Sequence, residues 1–415
     1  MDIISGLFDE LLIKILLLVP TKVAVSTSIL SKRWEYLWMW LPKLEYSNRD
    51  SSSAQWKRLR YFLDKNLPLH RAPVIESFRL DLTCAKFKTE NVKFWVVLAV
   101  SRCVRELEIM YSSNPSKPKI LPSNLYTCKS LLTLKLDGEI LLDVPRMVFL
   151  PSLKTLQLRS VSYLNEESLQ WLLSNCPVLE DLLVDLPENG TMGKLTVVFP
   201  SLQSLSLFIP YDYSIDGIVI QTPSLKYFKL KDHKCESHYC LIENMPNLIE
   251  AYVDVEFPNI NSLIGSITSV KRLEICSVHV YDEGFVFNQL EHLEVCRSCN
   301  KKCSPNLLVR LLKDSPNLQV LDLFVMKYHQ HIDYMEYWNQ PSTVPECMSS
   351  LQTFNWIEYS GEPEERDAAV YILENALHLK TATIEHFERY VPKLEVIKEL
   401  ARSSRASSKC KLMFH

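Results

Sequence analysis

Apolar and polar positions follow one short pattern through most of the chain. An apolar residue is followed by two free positions, a second apolar residue, one free position and a third apolar residue. Pro151-Ser-Leu153-x-x-Leu156-x-Leu158 shows it, as do Pro177-Val-Leu179-x-x-Leu182-x-Val184, Pro200-Ser-Leu202-x-x-Leu205-x-Leu207 and Pro223-Ser-Leu225-x-x-Phe228-x-Leu230. Pro246-Asn-Leu248-x-x-Ala251-x-Val253 and Pro316-Asn-Leu318-x-x-Leu321-x-Leu323 continue it. Without the proline the same register returns at Ile75/Phe78/Leu80, Val104/Leu107/Ile109, Leu131/Leu134/Leu136, Val270/Leu273/Ile275 and Leu290/Leu293/Val295. Two apolar residues two apart point to one face of a short strand, so each copy predicts a strand. The leucine three positions earlier closes the same core from the turn before it. Proline there offers no N–H to a neighbouring strand and brings a fixed φ.

From Leu153 to Leu248 the steps are 26, 23, 23 and 23 residues. A fixed period of this length is the mark of leucine-rich repeats. One unit cannot bury its apolar face alone, so stacked units bury it together and the expected fold is an α/β solenoid of parallel strands, an irregular horseshoe over about residues 74–330. Helices are expected on its convex side at Glu166–Ser174 and Asn306–Lys313, each ending before an X-Pro pair. Most other connections read as too short or too polar for a full helix.

The two ends depart from the repeat. Leu11, Leu12, Ile15, Leu16 and Val19 recur at helical spacing with acids in the first turn, and Pro20 stops that helix. Thr21 is expected to cap a second helix carrying Val25 and Ile29, and Leu30, Trp34, Leu37, Trp38 and Leu41 form the stripe of a third. Three helices over residues 1–45 are too few to bury this much apolar surface among themselves, which leaves some for a partner. A bridge at 46–73 begins polar, at Ser47–Ser53, and turns helical around Trp56–Leu63. Residues 340–415 alternate strand and helix. A strand at Leu351/Phe354/Trp356 precedes a helix opened by Pro363-Glu364-Glu365, whose inner face is Ala369, Ile372, Leu373 and Ala376. A strand at Leu379–Ile384 and an amphipathic helix over Val391–Ala401 follow.

The N-terminal stretch resembles an F-box of the kind found in plant F-box/leucine-rich-repeat proteins with a C-terminal FBD domain. The matching residues are Ile4-Ser5, Leu7, Asp9-Glu10-Leu11-Leu12, Ile15-Leu16, Leu18, Pro20-Thr21-Lys22, Ala24-Val25, Thr27-Ser28, Leu30-Ser31-Lys32-Arg33-Trp34 and Tyr36-Leu37-Trp38. The C-terminal strand-helix run, ending Ser-Ser-Arg-Ala-Ser-Ser-Lys-Cys-Lys-Leu, looks like the FBD domain. The resemblance implies a three-helix F-box, the repeat horseshoe and an α+β FBD cap. It also implies docking to a Skp-type adaptor, and through it to a cullin–RING ligase, by Leu7, Leu11, Leu12, Ile15, Leu16, Pro20, Leu30, Trp34, Leu37 and Trp38. Two positions differ from the family. Phe8 replaces the proline of its Leu-Pro, and Val23 replaces an acid.

Composition narrows the chemistry. The 415 residues are 47% apolar and carry a formal charge of −3, with no basic excess for nucleic acid. The apolar run Leu11–Val19 follows acids, contains Lys14 and is too short to span a bilayer. The chain is therefore expected in the cytoplasm or nucleus, away from membranes, with its 12 cysteines reduced. Eight glycines include no phosphate-cradling motif, and no nucleophile–base spacing is found, so the chain reads as non-catalytic and without a cofactor. His233/Cys235/His238/Cys240 and His292/Cys296/Cys299/Cys303 each offer four soft ligands, yet neither has the paired knuckles of a zinc finger; ordinary strand and turn cysteines are the favoured reading, and no metal is expected.

The residues alternating with the core leucines form the expected concave face. Arg159, Phe208, Tyr227, Lys229, Tyr252, Arg272, His292 and Phe324 are the candidates there for holding a target protein, aromatic and arginine side chains being frequent anchors. With the resemblance, this yields a target-binding subunit of a Skp/cullin/F-box ubiquitin ligase. A second reading keeps the repeats as an interaction scaffold not coupled to ubiquitin, resting on Phe8 and Val23. A small-molecule receptor ranks third, because no basic cluster for a polyphosphate is seen.

Overall fold

The computed structural model describes residues 6–47, 53–82, 87–112, 118–234, 239–277, 279–296, 305–324, 340–387 and 391–415. The chain divides into two compact units, Met1–Leu195 and Thr196–His415.

The first unit is built on a parallel ladder of β1 (Lys43–Ser47), β2 (Ser77–Asp81), β3 (Glu106–Tyr111), β4 (Thr133–Gly138), β5 (Thr155–Arg159) and β6 (Asp181–Asp185). The expected register holds. Leu44, Phe78, Leu107, Leu134, Leu156 and Leu182 face one another across adjacent strands and are at most 2% exposed. The first rung comes earlier than the repeat pattern suggested, from Lys43–Ser47, because Leu44 and Tyr46 alternate inward like any other copy.

The second unit continues the same construction with β7 (Ser204–Ile209), β8 (Tyr227–Asp232), β9 (Glu250–Val255), β10 (Arg272–Ser277), β11 (His292–Cys296), β12 (Val320–Phe324), β13 (Thr353–Tyr359), β14 (Thr381–His386) and β15 (Lys411–Phe414). Leu205, Phe228, Ala251, Leu273, Leu293, Leu321, Phe354 and Ala382 form its buried column. β15 is a rung that the pattern did not announce, since Lys411–Phe414 is too short to show a period.

The proline of the repeat has a sharper role than strand initiation. In six copies the leucine N–H bonds the carbonyl three residues back, as in Leu153 to Leu150 at 3.3 Å, Leu225 to Thr222 at 3.1 Å and Leu248 to Met245 at 3.1 Å. Proline, or Pro200 in its copy, therefore occupies the second position of a β-turn, where its fixed φ is preset. The turn delivers the following leucine into the core.

Connections carry more structure than their polarity implied. Further strands at Lys119–Ile120, Ile140–Leu142 and Ser162–Tyr163 pair in parallel in the first unit, as do Ser214–Gln221 and Tyr239–Ile242 in the second. The helices are α1 (Asp9–Leu16), α2 (Thr21–Ser26), α3 (Ser53–Asn66), α4 (Thr89–Ser101), α5 (Ser168–Ser174), α6 (Asn261–Ser266), α7 (Pro305–Asp314), α8 (Pro363–Asn375) and α9 (Lys393–Arg402). α4 was missed, although Val92, Trp95, Val96 and Ala99 mark a helical face and are fully buried. α8 buries the expected Ala369, Ile372 and Leu373, and Ala376 just beyond it. Among the described residues no helix is long and apolar enough to cross a membrane.

Candidate functional site

Two surfaces carry the residues singled out from the sequence, one on each unit. The first is formed by the N-terminal helices. α1 carries Leu11, Leu12, Ile15 and Leu16 as expected but ends before Val19. α2 carries Val25 but stops at Ser26, leaving Ile29 on a following 3-10 turn, Thr27–Ile29; the third element is itself a 3-10 helix, Trp34–Trp40, with Leu30 outside it. In that tighter winding, residues three apart eclipse, so Trp34 and Leu37 fall inward together and Trp38 and Leu41 do the same. Trp38 stacks tilted on Phe62 of α3 at 5.6 Å, and Tyr46 joins Phe62 at 6.0 Å, tying the helices to the ladder. Thr21 does not cap α2. Pro20 holds that position, and the buried Thr21 hydroxyl accepts the Glu45 backbone N–H at 2.9 Å, fastening α2 to β1. Arg33 bonds Asp9 at 2.7 Å and the Leu7 carbonyl, closing the segment.

The ten residues expected to meet an adaptor separate into two sets. Leu12, Leu16, Trp34, Leu37 and Trp38 are core, none more than 8% exposed. Leu11, Ile15, Pro20 and Leu30 are exposed, and Leu7 is half-buried. With the exposed four stand apolar residues that the expected adaptor set did not include: Phe8, Leu18, Val19, Val23 and Ile29, of which Phe8, Leu18 and Ile29 are 77%, 84% and 87% exposed. Helical spacing could not sort these sets, because both faces of α1 are apolar. The two departures from the family pattern fall on this surface. Phe8 has φ −67°, the value a proline would impose, so the chain approaches α1 as it would with proline there. Val23 adds apolar area.

The second surface is the face of the second unit's ladder opposite the leucine column. Adjacent parallel strands align it in rows. Ser206, Lys229, Tyr252, Glu274, Glu294, Asp322 and Asn355 are successive partners in one row, and Ser204, Tyr227, Glu250, Arg272, His292 and Val320 in the next. The row changes character along its length. At one end the Lys229 ammonium lies 4.0 Å from the Tyr252 ring centre and 5.7 Å from that of Phe208, with Lys231 5.2 Å from Tyr252. Burial, then the neighbouring Lys231 charge, holds Lys229 below its ordinary value. At the other end are carboxylates. Burial, then the facing Glu294, pushes the Glu274 carboxyl up to about 7. Burial likewise raises the Tyr227 and Tyr252 hydroxyls. Arg272 pairs with Glu294 at 2.5 Å, and His292 Nε2 lies 2.7 Å from Asp322 Oδ2.

Phe208, Tyr227, Lys229, Tyr252, Arg272 and His292 are thus brought onto one face, and Phe324 stands beside Cys296 at the end of β12. Arg159 belongs to the first unit, opposite Asp185 in register. Choosing aromatic and basic residues overlooked Glu274, Glu294, Asp322 and Asn355, which the same alternation places in their row. Of the two Cys/His clusters, Cys235, His238, Cys299 and Cys303 lie outside the described residues. The remaining members are separately engaged: His233 Nε2 lies 3.0 Å from the buried Asp254, burial pushes the Cys240 thiol up to about 12, and Cys296 is buried.

In the C-terminal region, buried Glu365 on the first turn of α8 accepts the Ser360 and Gly361 backbone N–H groups at 2.8 and 3.1 Å, and the Ser360 hydroxyl at 2.8 Å. Parallel strands at leucine-rich spacing, with this strand-helix end, define the class: a leucine-rich-repeat protein with a C-terminal FBD domain. The FBD family matches residues 340–384, and the family described as FBD-associated F-box protein At5g56370, LRR repeats, matches 92–249. The chain is 60% identical over 416 residues to the FBD-associated F-box protein At4g10400 of Arabidopsis thaliana, covering all of both chains. It is 53% identical to the FBD-associated F-box protein At5g38590 of the same plant, over 97% of this chain and 98% of the relative. The putative F-box/FBD/LRR-repeat protein At4g00315, also from Arabidopsis thaliana, is 45% identical over the whole of both chains. The chain belongs to the plant F-box/FBD/leucine-rich-repeat protein family.

Proposed function

We propose that this chain is the target-binding, non-catalytic subunit of a Skp/cullin/F-box ubiquitin ligase acting in the cytoplasm or nucleus. Its N-terminal helices dock a Skp-type adaptor, and the face of the second unit's ladder holds the protein to be modified. The observation that carries the adaptor half is the exposed apolar surface of Phe8, Leu11, Ile15, Leu18, Val19, Val23, Ile29 and Leu30, within a segment that resembles an F-box. So many exposed apolar residues in about twenty-five positions mark an interaction site. Support for the target half is the mixed row from Lys229 to Asp322, where half-buried aromatic and charged side chains stand together.

Co-purification with a plant Skp-type adaptor tests the reading. Wild-type chain is expected to retain adaptor, and Leu11→Asp combined with Ile29→Asp to reduce retention at least tenfold. Both sites are exposed, so the unfolding midpoint should move by no more than about 0.5 kcal/mol equivalent. Wild type without bound adaptor, or equal retention by the variant, overturns the proposal. Trp34→Ala is unsuitable here, since its side chain is core.

A further inference from the structure

His292, Glu294 and Asp322 present one ligand atom each within 4.8 Å of one another, the one such trio of metal-binding side chains among the described residues. Two come from β11, two positions apart and hence on one face, and the third from β12, where Asp322 is the register partner of Glu294. His292 Nε2 lies 2.7 Å from Asp322 Oδ2 and 3.5 Å from Glu294 Oε1. Ligand atoms around a tetrahedral ion with bonds of about 2.0–2.1 Å stand about 3.3 Å apart, so small side-chain rotations would seat one. The three side chains are 17–25% exposed, dry enough to strengthen electrostatic binding and open enough to admit an ion.

We propose that these three residues form a seat for a first-row divalent cation, with an imidazole nitrogen and two carboxylate oxygens as donors. That donor set suits zinc, cobalt or manganese rather than the soft-metal sites that thiolates make. Asn355 Nδ2 donates to Asp322 Oδ1 at 2.8 Å, which orients the carboxylate and leaves Oδ2 for the ion. Arg272 works against it. Its guanidinium bonds Glu294 Oε1 at 2.5 and 3.0 Å, supplying in part the positive charge that an ion would bring. Three protein donors leave at least one coordination position open, to water or to a side chain of a bound protein. The second occupant rests on the target reading above; the seat itself does not.

Cobalt(II) titration of the purified full-length chain, followed by visible absorption, tests the seat. The expected signal is one equivalent with ligand-field bands and no near-ultraviolet thiolate-to-cobalt band, which separates it from cysteine sites. His292→Gln and Asp322→Asn should each weaken binding at least tenfold. Arg272→Met should tighten it severalfold, a gain that misfolding would not produce. No uptake at millimolar cobalt, a spectrum dominated by the thiolate band, or affinities unchanged in His292→Gln and Asp322→Asn would overturn the proposal.

Discussion

At the scale of single residues, two positions show how little of a side chain's role its type reveals. His70 has no motif around it, yet it is 2% exposed, with Nε2 3.0 Å from the Leu41 carbonyl and Nδ1 accepting the Ala72 N–H at 3.3 Å. Both nitrogens are engaged by a neutral ring, so it clasps the end of the N-terminal helical segment to the chain leaving α3. Burial lowers its pKa from 6.5 to about 4. Between those values the unfolded chain takes up a proton that the folded chain refuses. The clasp's contribution is therefore intact above pH 6.5 and lost as pH falls toward 4, amounting to about 3 kcal/mol at the acid end. Urea midpoints at pH 7.5 and 5 should separate more for wild type than for His70→Gln; equal separations would remove His70 from the acid response. Gly138 is the second position. It has φ +92°, and a Cβ there would lie 2.2 Å from the Tyr111 carbonyl oxygen on the neighbouring strand. Gly138→Ala is expected to destabilise the chain by about 2 kcal/mol or more, read from the thermal or urea midpoint, whereas Gly284→Ala meets no atom within 4 Å and bears only the strain of its own positive φ.

Elements were legible where a period could run long enough to declare itself. Apart from β1 and β15, the strands of the two ladders show in the spacing of their apolar residues, and the C-terminal helices show in their acids, proline and apolar faces. α4 is the instructive miss. Its apolar run reads as strand or helix alike when judged by hydrophobicity, and only the i, i+3, i+4, i+7 set Val92, Trp95, Val96 and Ala99 decides for helix. Trp95 is fully buried, packs edge-on against Phe87 at 5.3 Å and donates its indole N–H to Asp64 of α3 at 2.9 Å. Trp95→Ala should cost about 3–5 kcal/mol through the cavity it leaves, and Trp95→Phe markedly less, both measured as shifts in the unfolding midpoint. A similar cost for the two would show that the hydrogen bond, rather than packing, holds α4 in place. The outer strands Lys119–Ile120, Ile140–Leu142 and Ser162–Tyr163 had no chance of detection, since two- or three-residue strands contain no complete alternation.

Over the whole molecule, the eight described cysteines are free thiols, and six of them, Cys128, Cys176, Cys276, Cys296, Cys347 and Cys410, are buried. Burial pushes the Cys176 and Cys347 thiols up to about 12, so they are unreactive as well as hidden. Mass-spectrometric mapping of an alkylating reagent should therefore label Cys103 in the native protein and the buried six only at the rate of unfolding; rapid native labelling of those six would contradict the packing described. The repeat, its period and the alternation of inward and outward residues are consequences of the sequence alone, because one strand spacing repeated at a fixed interval admits one way of burying its leucines. The family resemblance at both ends is likewise written in local residues. Tertiary structure alone decided which apolar residues of the N-terminal helices go inward, since both faces of α1 are apolar and only packing against the 3-10 helix chooses between them. It also decided that Phe8 and Val23 extend an exposed apolar surface, and that His292, Glu294 and Asp322 meet. Residues from neighbouring strands some thirty positions apart are joined by register, which no spacing within either strand contains.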